Sequence, residues 1–202
     1  HRIDGPVETY RGTNFGADFF IKTINAVFAD GIIFQSYWSK KMNKIRYGFS
    51  ADFETVVVNA SDKNVFKNER TKVLRDGEKI RVIMTSWSSN IRKGFDFYEY
   101  LDKNLDFNRY SVTFVGNSPV KFGNIKSIPA VVSGELAKMI NEHDIYLTAS
   151  QKDPCSNSLI EALSCGLPCV VLNDGGHPEL LLKGGLTFLN HPEMISAIEQ
   201  VS

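Results

Sequence analysis

The sequence predicts an α/β protein built on a doubly wound, Rossmann-like parallel sheet, and three observations carry that expectation. From Lys79 onward, short β-branched runs alternate with stretches whose apolar residues recur at helical spacing, the pattern of successive βαβ units. The strand-like runs are apolar on both alternating faces, as strands buried between two helix layers are. Turn signals such as Asp76-Gly77, Gly166 ahead of Pro168, and Asp174-Gly175-Gly176 fall between these runs and punctuate them.

Taken in order, Ala17 to Phe28 has a helical pattern, Gly31 to Gln35 reads as a strand, Tyr37 to Arg46 as a basic helix, and Glu54 to Asn59 as a strand. These read as the last elements of one α/β unit, residues 1–63. Asn64 to Glu78 is polar and charged and is expected to be a linker over 64–78. The second unit, 79–202, takes strands at Ile80 to Thr85, Ser111 to Val115, Ile125 to Ile128, Asp144 to Thr148 and Pro168 to Leu172. Its helices are expected at Phe95 to Leu105, Gly134 to His143, Ser156 to Ser164 and Pro178 to Leu182. Ligands of such a fold sit at the carboxyl ends of the strands.

Bulk properties narrow the function. Lys plus Arg equals Asp plus Glu at 23 each in 202 residues, so no global field holds nucleic acid or an anionic membrane, and any phosphate site must be local. No apolar run approaches the roughly 20 residues that span a bilayer. Cys155, Cys165 and Cys169 are odd in number and close together, which argues against a disulfide framework and for a reducing cytoplasm. Their spacing also lacks the paired gaps of a zinc site, so no metal is expected. The chain opens on His1 and stops soon after an amphipathic stretch begins near Pro192; it is read as a piece of a longer protein.

The chemistry concentrates between Asp153 and Pro168. A turn of small polar residues, Ser156, Asn157 and Ser158, leads into a helix that Gly166 closes. The first amides of a helix lack internal partners and the dipole there favours an anion, so this turn suits a phosphate. Glu161 follows one turn later, where a carboxylate can accept the two hydroxyls of a ribose. The same residues also serve as a plain helix cap and a solvated glutamate.

The stretch resembles the E-x7-E signature of family 4 retaining glycosyltransferases of the GT-B type, with Asp153 in the first acidic position and Glu161 in the second. Ser86-Trp87-Ser88-Ser89-Asn90-Ile91-Arg92-Lys93-Gly94 resembles the family's Lys-Gly segment. That resemblance implies that Lys93 neutralises the donor diphosphate, that Glu161 binds the ribose, and that Asp153 lies near the sugar hydroxyls. Asp153 replaces the family's Glu and is shorter by one methylene. Trp87 stands where many members have an arginine, so either Arg92 supplies the missing charge or Trp87 stacks on the donor. Asp174-Gly175-Gly176-His177-Pro178-Glu179 resembles the Gly-Gly-x-x-Glu turn behind the sugar pocket, with Gly176 against the donor. Ile128 to Val131 resembles the base-binding edge. His1 to Pro6 resembles the end of an N-terminal-domain strand, and His1 would be the histidine that faces acceptor and sugar, with Asp4 shaping the acceptor pocket or capping a turn.

The resemblance implies transfer of a sugar from a nucleoside-diphosphate-sugar donor to an acceptor hydroxyl with retention, without metal or cofactor. Residues 1–63 would then be the remnant of the acceptor-side domain. The acceptor would be a sugar, a lipid-linked glycan or a protein, and peripheral contact with a membrane is compatible with it. A non-catalytic nucleotide-binding module and a sugar-nucleotide epimerase are the rival readings. A Rossmann oxidoreductase is disfavoured, because no G-x-G-x-x-G follows a strand at the start of either unit.

Overall fold

The computed structural model describes residues 1–11, 15–70 and 77–202. The strands are β1 (Arg2–Ile3), β2 (Gly31–Phe34), β3 (Phe53–Val56), β4 (Ile80–Ser86), β5 (Tyr110–Gly116), β6 (Lys126–Ile128), β7 (Ile145–Thr148), β8 (Cys169–Leu172) and β9 (Gly185–Phe188). Between and after them run helices α1 (Val7–Arg11), α2 (Phe15–Phe28), α3 (Tyr37–Tyr47), α4 (Phe95–Asn104), α5 (Ser133–Asn141), α6 (Asn157–Ser164), α7 (His177–Leu181) and α8 (His191–Gln200). Among the described residues the strands form two sheets, in the orders β1-β2-β3 and β6-β5-β4-β7-β8-β9, and every pairing is parallel. The expected doubly wound α/β fold is therefore what the chain adopts.

The second sheet is buried on both faces because its central strands are apolar at odd and even positions alike. Val82, Met84, Phe114, Leu147 and Val170 pack on one side against Phe95, Tyr98 and Leu101 of α4 and Met194 and Ile198 of α8. Ile83, Val115, Tyr146 and Val171 pack on the other against Leu136 and Ile140 of α5 and Leu159 and Ala162 of α6. Each such side chain contributes roughly 1.5 to 3 kcal/mol by leaving water, which fixes the register on which the loops above depend. The first sheet has a smaller core of Ile3, Ile32, Phe34 and Phe49.

Three departures from the sequence reading have local causes. The strand expected to run to Asn59 ends at Val56; Val57 still donates to the Phe34 carbonyl at 2.9 Å, after which the Asn59 amide turns toward the second sheet and donates to the Cys155 Sγ at 3.4 Å. The stretch read as a linker is not free where it is described: Phe66 is buried in the second core, and the Glu69 amide donates to Asn141 Oδ1 at 2.8 Å. Its residues 71–76, including the Asp76 turn signal, lie outside the described residues. Strand β9 went unread because it opens on glycine. Gly185 pairs with Cys169 at a φ of 156°, and a Cβ there would collide with the Cys169 carbonyl, so the close strand approach demands glycine. Helix α8, of which only the amphipathic beginning was legible, starts where Asn190 Oδ1 accepts from the Glu193 amide at 3.0 Å.

The sheet order places the functional crevice. Strand β4 pairs with β5 on one side and β7 on the other, so the winding reverses there and the loops leaving the carboxyl ends of β4 and β7 diverge. At the opposite end, Arg81 locks these strands together, its Nε and Nη2 each donating to Asp144 at 2.9 Å. The first sheet faces this crevice. Glu179 of α7 accepts the amides of Tyr37 and Trp38, the first turn of α3, at 2.8 and 2.9 Å.

Candidate active site

The loop after β4 runs through a short 3-10 turn, Ile91–Lys93, in which the Arg92 amide donates to Asn90 Oδ1 at 2.9 Å. Gly94 ends it at a φ of 77°, where a Cβ would strike the carbonyl and methyl of Ala149 in the loop after β7. Only glycine permits that approach. The Gln151 amide also donates to the Arg92 carbonyl at 2.7 Å. The two loops are thereby pinned together, and Lys93 Nζ lies 3.1 Å from Asp153 Oδ2. The lysine is thus brought to the acidic turn, not to a remote face.

Asp153 is held from behind. Its carbonyl accepts the Gly176 amide at 2.9 Å, Gly175 approaches its backbone at a φ of 65°, and a Cβ on Gly176 would strike the Pro154 carbonyl. The paired glycines thus serve the placement of the Asp153-Pro154 loop, and Gly176 itself lines neither of the cavities described next.

A cavity of ≈ 370 Å³ opens between the two loops. Lys93, Asp153, Ser156, Asn157, Ser158 and Glu161 line it, with Trp87 at its edge and Val115, Ala130, Val131 and Leu136 as the apolar wall. Ser156 is the N-cap of α6, yet its side chain makes no cap hydrogen bond; its Oγ lies 3.2 Å from Ser158 Oγ instead. The first amides of α6 are consequently left for another acceptor, which a plain cap would not do. Beneath them, the buried Tyr146 hydroxyl lies 3.1 Å from Thr85 Oγ1. Burial pushes that phenol well up, so it stays protonated and available to donate or accept.

Glu161 has no hydrogen-bond or ion-pair partner among the described residues, and burial alone pushes its carboxyl up to about 7. A half-buried carboxylate without a partner is costly and is relieved by a ligand that brings hydroxyl donors. Trp87 is 71% exposed, so its indole is open at the cavity edge, and its carbonyl accepts from Asn117 Nδ2 at 2.8 Å.

A second cavity of ≈ 360 Å³ adjoins the first through the Lys93–Asp153 pair. It lies toward the first sheet, whose Asp4 and Gln35 reach it. Arg92 lines this second cavity and not the first. His1 lies outside both cavities. Its ring Nδ1 lies 3.1 Å from Asn25 Oδ1, the side chain is exposed, and neither cavity includes it, because β1 pairs with β2 from its first residue and only Asp4, beyond the strand end, projects to the crevice. Thr85, Tyr146, Gln151 and Asn59 were not singled out from the sequence. Thr85 sits near the carboxyl end of β4, which was the available signal, whereas Tyr146 is the second residue of β7.

His177 is buried, with Nδ1 3.1 Å from the Leu172 carbonyl and Nε2 unpartnered among the described residues; burial lowers its basicity. All three cysteines are free and buried. Among the described residues, no group of three or more His, Cys, Asp or Glu side chains is placed to hold a metal ion, and no helix is long and apolar enough to cross a membrane.

The paired parallel sheets with a crevice at the second sheet's switch point define the GT-B class. The chain is similar in fold to sucrose-phosphate synthase from Thermosynechococcus elongatus (TM-score 0.76, 14% identity, 100% of this chain and 57% of that one). It is also similar to Anabaena HepE in complex with UDP-glucose (TM-score 0.77, 17% identity, 98% and 61%) and to a glycosyltransferase from Rickettsia africae (TM-score 0.69, 14% identity, 90% and 56%). The chain spans under two thirds of each of these proteins. No curated protein matches it by sequence. The sequence model of the glycosyl transferases group 1 family matches residues 100–202, and the chain belongs to that family.

Proposed function

We propose that the first cavity binds a nucleoside-diphosphate sugar and that this chain supplies the donor side of a retaining glycosyl transfer. The single observation that carries the reading is the convergence of Lys93 with the uncapped start of α6 around one cavity. Similarity to a protein crystallised with UDP-glucose agrees with it. The diphosphate lies on the amides and hydroxyls of Ser156 to Ser158, Glu161 takes the ribose diol, and the base rests on the Ala130-Val131 edge, with Trp87 free to stack.

In the free protein Lys93 is neutralised by Asp153. On donor binding the ammonium turns to the diphosphate, and Asp153 is released to accept a sugar hydroxyl. The acceptor hydroxyl oxygen then bonds to the anomeric carbon, the bond from that carbon to the β-phosphate oxygen breaks, and the hydroxyl proton passes to the departing diphosphate. Charge grows on that leaving group, so the lysine and the fixed amides act more strongly in the transition state than before it. Neither residue requires a metal for this. The division into an acceptor-side unit (1–63) and a donor-side unit (79–202) is part of the same proposal, as is residence in a reducing compartment, which the three free thiols support.

A thermal-shift series with UDP-, GDP-, ADP- and TDP-sugars tests the reading. One base is expected to stabilise the chain, by about 2.7 kcal/mol at a hundredfold excess over Kd. No stabilisation by any of them overturns it.

A further inference from the structure

The second cavity shares Ser88, Lys93, Asp153, Cys155 and Asn157 with the first, and its remaining walls describe what enters it. Five of its lining residues carry carboxamides, Gln35, Asn59, Asn90, Gln151 and Asn157, and Pro154 and Cys155 add apolar surface. With no aromatic ring among the lining residues, the cavity matches a molecule rich in hydroxyls better than an aryl group.

Its charges are unevenly matched. Lys93 and Asp153 neutralise each other. Asp4 is exposed and already accepts from Gln35 Nε2, so water and that amide attend to it. Arg92 is half-buried, forms no ion pair among the described residues, and spends one Nη1–H on the Glu8 carbonyl at 3.3 Å. Its remaining donors form a planar fork suited to a carboxylate or a phosphate, and an unpaired charge in partial burial gains more from a counter-ion than an exposed one does.

We infer that the acceptor is a polyhydroxylated sugar carrying an anionic group, which docks on Arg92 in the second cavity while a hydroxyl is presented across the Lys93–Asp153 pair to the donor. Asp4 and the carboxamides bind the remaining hydroxyls. This rests on the donor reading above and adds the acceptor's class to it.

The test is saturation-transfer NMR on the full chain saturated with UDP. The probes are glucose, glucose 6-phosphate, glucuronate, octyl glucoside and inorganic phosphate, applied to wild type, Arg92→Met and Arg92→Lys. The inference expects one of the two anionic sugars to bind at least about tenfold more tightly than glucose, with that preference lost in Arg92→Met and partly kept in Arg92→Lys, the scale of a hydrogen bond to a charged group. Which of the two binds separates phosphate from carboxylate as the anion. Unaltered UDP affinity in both variants shows that they fold. Equal binding of glucose and both anionic sugars, tighter binding of octyl glucoside, or an anionic preference unchanged in Arg92→Met overturns the inference. If UDP does not bind wild type, the nucleoside diphosphate that stabilises the chain in the thermal-shift series replaces it; if none of them binds, the donor reading fails first, and the two failures are told apart.

Discussion

Lys93 Nζ and Asp153 Oδ2 meet at 3.1 Å across 60 positions of sequence, at the wall that the two cavities share. Each partner is part-buried; on the proposed donor reading, the cation for the leaving group and the carboxylate for the sugar hold each other until a donor separates them.

Lys93→Ala is therefore expected to remove affinity for UDP but not for uridine, by about 1.5 to 3 kcal/mol, the range for hydrogen bonds to charged groups. Calorimetric titration of both ligands checks this. Equal losses for both would point to a folding defect.

The unpartnered Glu161 carboxyl makes a pH prediction. Its raised value means that the folded chain keeps a proton which the unfolded chain releases between about 4.5 and about 7. Stability contributed at this position accordingly falls as pH rises through that window. Glu161→Gln is expected to flatten the fall and to exceed wild type in urea stability above the window by on the order of 2 kcal/mol. Because the ribose diol is best accepted by the ionised form, wild-type affinity for uridine should climb as pH passes upward through about 7. The Gln variant should bind uridine weakly and without that climb.

Tyr146→Phe tests the hydroxyl chain beneath the diphosphate site. Without the phenol, the Thr85 hydroxyl loses its partner. A loss of about 1 kcal/mol in stability is expected, with UDP affinity reduced and uridine affinity unchanged. Loss of both in proportion would assign the residue to packing alone.

Glu179→Ala removes the carboxylate that accepts the Tyr37 and Trp38 amides across the sheet-to-sheet contact, while Ser36 still caps α3 through the Ser39 amide. A cost of about 1 to 2 kcal/mol follows from lost capping and dipole terms, read from chemical denaturation. An unaltered midpoint would mean that water caps the helix equally well.

Much of the architecture was legible because burial on both faces leaves a continuous apolar signal, as in β4, β7 and β8. What escaped reading was set by backbone proximity. Gly185 looks like loop until Cys169 lies beside it, and the linker reading of the segment after Asn64 missed Phe66, a single apolar residue whose partners come from elsewhere in the chain. In the site, Lys93, Asp153, Ser156, Asn157, Ser158 and Glu161 were local enough in sequence to be singled out and converge on one cavity. Arg92 and His1 lie outside that cavity; side-chain direction in a one-turn helix and at a strand's first residue depends on dihedral angles and pairing, which spacing does not encode.

The account rests on a diphosphate site at the start of α6. It is tested most directly by titrating the chain with UDP, uridine and pyrophosphate in one calorimetric series. The expected result is that UDP binds more tightly than uridine by about tenfold or more, that pyrophosphate competes with it, and that this increment vanishes in Lys93→Ala. UDP binding no more tightly than uridine to wild type, with no other nucleoside diphosphate exceeding its own nucleoside, would contradict it.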